Sequence, residues 1–435
     1  MKTAFSPEQL RDPEFAASQA ALRKCVHCGF CTATCPTYVL LGDERDSPRG
    51  RIELIRAMLE SGRAPTKEAV THVDRCLSCL ACSTTCPSGV DYAQLIGHAR
   101  SYIEAHHRRP LPERLFRWAI AHVLTRPRHL RAGLAIGRWA RPLEPWAVRL
   151  RLTSLAALLR LVPEPAKPAR GVGEYPAVEE RRGRVLLLQG CVEPEMAPQI
   201  RNSAVRLLNR AGYDVVLAAG EGCCGAIPEH LGRASEARDC ARRNVAAWAN
   251  VGEVDAIVTT AAGCGTTLKG YGHVLGEAGA AAAARARDIL EFLDEVGLPA
   301  ISNPQALSVA YHAPCSLQHG QKIKAGPARL LAQAGFDVRE VPEGHLCCGS
   351  AGVYNILQPK LAGRLQARKA ANIARTGAVI VAAGNVGCIA QIAPAVAAPV
   401  LHPVELLDWA TGGARPLALD RVVAAAKVAK PVRTG

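Results

Sequence analysis

The sequence predicts a multidomain protein, with a helical, cysteine-rich amino-terminal module followed by a duplicated α/β domain built on parallel sheets. Three observations carry this. Two cysteine ladders of identical spacing lie within residues 1–105. From residue 181, short apolar runs alternate with helical patterns, the sign of parallel β-α-β units. Four cysteines of that region then recur, each 124 residues further on, which points to an internal repeat.

A chain of 435 residues argues for more than one domain. Its start, "MKTAFSPEQLRDPEF", lacks the apolar core of a signal peptide. The seventeen cysteines therefore read as reduced and metal-binding rather than as a disulfide framework, and the odd count leaves at least one outside any pairing. No apolar run reaches transmembrane length. The net charge of +15 is uneven, since residues 111–160 hold ten arginines against Glu113 and Glu144, together with Trp118, Trp139 and Trp146. Two readings stay open for that stretch. It is either a surface for a membrane or acidic partner, or a solvated helical face docked on its own protein.

In chain order, the first ladder is Cys25, Cys28, Cys31 and Cys35-Pro36, and the second is Cys76, Cys79, Cys82 and Cys86-Pro87. Between them "DSPRGRIELIRAMLESG" predicts a helix. Ser47 serves as N-cap with Pro48 at the first position, Ile52, Ile55 and Leu59 form the apolar stripe, and Gly62 ends it. Residues 106–180 read as a basic helical connector and a Pro-rich linker. "RVLLLQG", "YDVVLAA" and "DAIVTTA" read as strands of a first repeat over 181–300. A second repeat covers 301–420, where "RLLAQAGFDVR" matches "RLLNRAGYDVV" at seven of eleven positions. Residues 421–435 are a basic tail.

A cubane iron–sulfur cluster needs four thiolates. Cysteines at i, i+3 and i+6 wrap three corners, and the fourth, on the outgoing chain, reaches the other cluster. The expected sets are therefore Cys25, Cys28, Cys31 with Cys86, and Cys76, Cys79, Cys82 with Cys35. Structural zinc sites favour spaced CxxC pairs instead, so zinc fits this pattern poorly. His27 and Ser78 read as loop residues. The ladders resemble two-cluster ferredoxin-type proteins. Their separation, with a helix between, looks like the α-helical ferredoxin variant of fumarate reductase and its relatives.

Cys191, Cys223, Cys224 and Cys264, repeated as Cys315, Cys347, Cys348 and Cys388, follow predicted strands. Their positions place four thiols at one sheet edge in each half. The glycine after each adjacent pair, Gly225 or Gly349, is expected to let backbone approach a cluster closely. These motifs resemble the cysteine-rich CCG domain of heterodisulfide reductase subunits and of flavin-linked dehydrogenases. In heterodisulfide reductase the motif ends in CxxC, whereas here Ala261 and Asn385 stand where its first cysteine would be. The eight cysteines are candidates for a further iron–sulfur cluster, with structural thiol clusters or zinc as the alternatives. Cys240, whose counterpart is Arg364, reads as a small buried residue. His312, His319 and His345 read individually as surface or core histidines able to tune a site.

No strand-borne GxGxxG and no Walker A sequence is present, so no flavin or nicotinamide site is expected on this chain. With "YHAPCSLQHGQKI", "CCGSAGVYNILQP" and "NVGCIAQI", the whole chain resembles the iron–sulfur subunits of glycolate oxidases. That resemblance implies FAD-containing partner subunits oxidising glycolate to glyoxylate. It also implies electron transfer through two [4Fe–4S] clusters to a membrane quinone or another respiratory-chain acceptor. The chain would lie peripherally on the cytoplasmic face of the inner membrane, with no catalytic residue of its own and no nucleic-acid partner. The iron–sulfur subunits of D-lactate and anaerobic glycerol-3-phosphate dehydrogenases share the pattern. A disulfide-reducing enzyme acting at a CCG cluster is a second alternative. A zinc-stabilised nucleic-acid binder would instead be colourless and bind in a salt-dependent way.

Overall fold

The computed structural model describes residues 1–420 and Val422. The proposed basic tail, residues 421–435, therefore lies outside the described residues apart from Val422.

Seven helices build the amino-terminal module: α1 (Pro13–Lys24), α2 (Phe30–Ala33), α3 (Pro36–Leu41), α4 (Pro48–Ser61), α5 (Lys67–Asp74), α6 (Ala81–Thr85) and α7 (Tyr92–His106). The expected caps of α4 are present. Ser47 Oγ accepts from the Gly50 N–H, Pro48 opens the helix, and Gly62 closes it at φ 61°. Ile52, Ile55 and Leu59 enter a core completed by Leu22 of α1, Val73 of α5 and Leu95 of α7. Four more helices form the connector: α8 (Leu111–Leu124), α9 (Pro127–Ala140), α10 (Glu144–Arg149) and α11 (Thr153–Arg160).

The remainder is two sheets of one plan. The first runs β1-β3-β2-β4-β5, from β1 (Gly173–Tyr175), β2 (Gly183–Leu187), β3 (Tyr213–Leu217), β4 (Ala256–Thr259) and β5 (Ala286–Asp288). The second runs β7-β6-β8-β9, from β6 (Ser308–His312), β7 (Asp337–Glu340), β8 (Ile380–Ala383) and β9 (Val400–Leu401). The register repeats, at 124 residues for the central strands and 123 for the pair β3 and β7. Val185 is paired with Val215 and Ala256, and Val309 with Val338 and Ile380. All these pairings are parallel. The antiparallel β1, formed by the linker, caps the free side of β3.

The two halves share one core. Ile200, Leu207 and Leu208 of the helix Pro198–Arg210 pack in the same cluster as Val404, Leu407 and Trp409 of the helix Pro403–Ala410. Over this seam Asp408 receives Arg206 and Arg210. His402 Nε2–H donates to the Thr260 carbonyl at 2.8 Å, so its Nδ1 accepts the Val404 N–H.

Candidate metal centres and the cavity between them

The two ladders adopt the same backbone. His27 and Gly29 lie at φ 55° and 85°, and Ser78 and Leu80 at φ 51° and 61°. Three of these four are non-glycine residues in the left-handed region, a strain that persists where a site over-determines the chain. Alternating left- and right-handed residues turn successive N–H groups to one side, forming a concavity suited to anions. Within the second ladder the Ser78 N–H donates to Cys76 Sγ at 3.4 Å.

The structure brings the ladder cysteines round two hollows. Cys25, Cys28, Cys31, Cys82 and Cys86 line the first, and Cys35, Cys76, Cys79 and Cys82 the second. Cys28 is exposed, while Cys35, Cys76 and Cys82 are buried. Donors gather on the second hollow. Thr37 Oγ1 lies 3.3 Å from Cys35 Sγ, Tyr92 Oη lies 3.8 Å from Cys76 Sγ, and an Arg51 N–H reaches Cys35 Sγ at 3.7 Å. Burial would raise the Cys76 thiol, but the Arg51 and Arg100 charges outweigh it and hold the thiol below its ordinary value. Burial pushes Cys79 and Cys82 well up, and Cys31 to about 11.

In the first half, Cys191, Cys223 and Cys240 pack in one cluster, and Cys224 Sγ is 3.2 Å from Cys264 Sγ. In the second half Cys315 packs with Cys347, and Cys348 with Cys388. All eight lie past the carboxyl ends of their strands, the edge where parallel sheets build sites. Together with Cys79 they line one cavity of about 520 Å³. The connector roofs it with Phe116, Ile120, Leu130 and Leu159, and exposed Ile136 and Leu155 also line it.

The glycines after the cysteine pairs also allow a close packing contact. Gly225 and Gly349 have φ of 101° and 95°. A Cβ there would meet the Ala237 carbonyl oxygen at 2.9 Å and the Ala362 carbonyl oxygen at 2.8 Å. The close approach is to the helices Ala234–Ala249 and Pro359–Ala374, and the glycine N–H groups point back to Cys223 Sγ (3.4 Å) and Cys347 Sγ (3.5 Å).

Sequence reasoning missed two neighbours. Cys240 is buried, as expected, but lies beside Cys223, and that contact, then burial, raises its thiol. The ligand atoms of His312, Cys348 and Cys388 all lie within 4.8 Å of one another. His319 is buried and joins two regions, with Nδ1 2.8 Å from Thr84 Oγ1 of α6 and Nε2 3.1 Å from the His345 carbonyl. His345 itself is exposed. Only the helical spacing of Cys240, Asn244 and Trp248, all buried, could have turned Cys240 inward from sequence.

The donor chemistry fits iron–sulfur clusters. All seventeen cysteines are free, and sixteen of them gather in two ladder hollows and one cavity. Fold and thiol constellation define an iron–sulfur protein of the two-cluster class. Residues 21–90 match the 4Fe-4S dicluster domain, and residues 185–269 and 309–393 each match the Cysteine-rich domain. The chain is 39% identical to the glycolate oxidase iron-sulfur subunit of Escherichia coli (strain K12), over 94% of this chain and 99% of that one. It is 32% identical to the "Probable glycolate oxidase iron-sulfur subunit" of Bacillus subtilis (strain 168), over 86% and 89%. Lactate utilization protein A of Oceanobacillus iheyensis is 25% identical, over 52% of this chain and 96% of its own. The chain belongs to the glycolate oxidase iron–sulfur subunit family. It carries iron–sulfur clusters as a component of an oxidoreductase.

Proposed function

We propose that this chain relays electrons from glycolate oxidation, carried out on FAD-containing partner subunits with glyoxylate as product, to a quinone at the membrane. When bound, the clusters supply one-electron transfer. The proposed ligands are Cys25, Cys28, Cys31 and Cys86 for one cluster and Cys76, Cys79, Cys82 and Cys35 for the other. Each set of four is found round its own hollow, with Cys82 touching both. Residues 1–105 act as the ferredoxin-like domain, 106–180 as connector, and 181–300 and 301–420 as the two cysteine-rich repeats, which hold a further metal centre.

The observation that carries this reading is the continuity of thiols. Cys79 of the second ladder packs in one apolar cluster with Cys315 and Cys347 of the second half. From there the cavity leads to the connector, whose outer face exposes Trp118, Trp139, Trp146, Leu115 and Leu150 among its arginines. Arginine with exposed tryptophan suits an anionic bilayer surface, and an apolar cavity suits a lipophilic ring. No helix among the described residues is long and apolar enough to cross a membrane, and the proposed association is peripheral.

The test is co-purification with the native partners, followed by rapid mixing with glycolate, D-lactate or glycerol 3-phosphate. Reduction of this chain's clusters by glycolate, reoxidised by a short-chain quinone, is the expected result. Reduction only by D-lactate or glycerol 3-phosphate would move the chain to a different dehydrogenase. Reduction with no quinone reoxidation would remove the proposed acceptor.

A further inference from the structure

We propose that His312 is a nitrogen ligand of the metal centre in the second cysteine-rich half, bound together with Cys348 and Cys388. The inference rests on the reading above that this half holds a metal, and it adds a donor that cysteine spacing does not reveal.

His312 is the last residue of β6, three residues before Cys315. Its side chain is 1% exposed, and neither Nδ1 nor Nε2 has a hydrogen-bond partner. Buried polar atoms are nearly always partnered, and an imidazole carries one donor and one acceptor, so leaving both unmet is costly. The groups near this ring point to what would meet them. Cys348 and Cys388, 1% and 5% exposed, bring their sulfurs within 4.8 Å of the imidazole donor atom and of each other. Metal bonds of about 2.3 Å to sulfur and 2.0–2.1 Å to nitrogen set tetrahedral ligand atoms roughly 3.5–3.8 Å apart. The observed cluster therefore needs only small side-chain adjustments to close on a metal. Cys347 and Cys315 pack together on the same cavity and offer further ligands.

The first half provides an internal comparison. The residue three before Cys191 is Leu188, buried and apolar. The four thiols are duplicated between the halves but the imidazole is not. A histidine needed only to fill the core would be replaceable by the leucine that fills the matching position. The nearby cation is Lys369, buried, with Nζ donating to the Glu343 carbonyl at 3.0 Å. An imidazole in place of a fifth thiolate adds a donor without adding negative charge. The two halves would thus hold chemically different centres, the second with mixed sulfur and nitrogen ligation.

The experiment uses the full chain purified anaerobically, once with natural histidine and once with ¹⁵N-histidine. Metal and sulfide content are measured first, then pulsed EPR of any paramagnetic centre and metal-edge X-ray absorption of any silent one. The expected result is metal beyond the ladders' complement, with a directly bonded nitrogen that responds to the histidine label. That nitrogen should disappear in His312→Leu, which copies the first half's residue, while the ladder signals stay unchanged. His312→Cys should keep the metal and lose the label response. A second-half centre with sulfur-only ligation, or one whose spectrum is identical in His312→Leu, overturns the inference and leaves the metal in place. Absence of any metal beyond the ladders' complement overturns the underlying reading as well.

Discussion

Arg51 and Asp46 form an ion pair at 3.2 Å in which the two side chains are 1% and 0% exposed. The Arg51 guanidinium also donates to the His72 carbonyl at 2.6 Å and to Thr37 Oγ1 at 3.0 Å, and one N–H faces Cys35 Sγ. It is a fixed positive charge beside the second hollow. Replacing it by methionine removes that charge and leaves Asp46 to Arg75 and His72. A buried carboxylate losing a partner costs roughly 3–5 kcal/mol. We expect Arg51→Met to lower the potential of one ladder cluster only, by about 60 mV for each tenfold of lost preference for the reduced form. EPR-monitored redox titration together with denaturation would measure both effects.

The crossed arrangement predicts a crossed phenotype. Cys86→Ser should perturb the cluster wrapped by Cys25, Cys28 and Cys31, although it sits ten residues after Cys76 on the other ladder. Cys35→Ser should perturb the one beside Arg51. EPR of each variant, assigned by the Arg51→Met shift, distinguishes this from ligation within a single ladder.

Metal uptake should release protons. Burial holds Cys79 and Cys82 above their ordinary thiol values, so in the metal-free chain they are protonated at neutral pH. Binding converts them to thiolates, and apparent affinity for iron should climb from about pH 6 to about pH 8. Metal titrations in two buffers of different ionisation enthalpy would count the protons. An affinity flat with pH would contradict this.

Burial raises the Glu405 carboxyl to about 7, despite the His402 N–H donated to its Oε2 at 2.9 Å. Between its ordinary value of 4.5 and about 7, the folded chain holds a proton that the unfolded chain has lost. This contribution to stability falls as pH rises through that window and levels off above it, by up to about 3 kcal/mol. Thermal melts of the metal-loaded protein should show Glu405→Gln gaining on the parent as pH rises from 5 to about 7. A constant difference between the two would refute the assignment.

The connector's outer face should carry the membrane affinity. Trp139 and Trp146 are 90% and 62% exposed. Trp139→Ala with Trp146→Ala should reduce partitioning onto anionic vesicles about tenfold, equivalent to about 1.4 kcal/mol. Arg128→Gln with Arg149→Gln should weaken it further, at about 1 kcal/mol per arginine, and flatten its salt dependence. Co-sedimentation at two ionic strengths checks this, with neutral vesicles as reference.

The ladders were legible because their ligand pattern is local. Three cysteines within seven residues fix a loop, and Ser47, Pro48 and Gly62 mark the helix between the ladders. The duplicated sheets were legible from β2, β3 and β4, whose apolar runs are bounded by turns. β5 and β9 were not, because two or three residues carry no period. β1 was hidden in a Pro- and Gly-rich linker, where pairing is decided by the free edge of β3. The connector docks on its own protein through Ile120, Leu130 and Leu159, while its tryptophans face out. Residues that meet only through the fold had no signal along the chain. His312 meets Cys388 across neighbouring strands, with His312 opposite Ala383. Thr84 meets His319 across 235 residues.

The Arg206–Asp408–Arg210 seam has a consequence for motion. Helices from both halves pack together there, and the His402–Thr260 bond joins the halves at a second point. If the chain relays electrons as proposed, these contacts tie the two sulfur sets into one body, and the length of the relay is set by the fold.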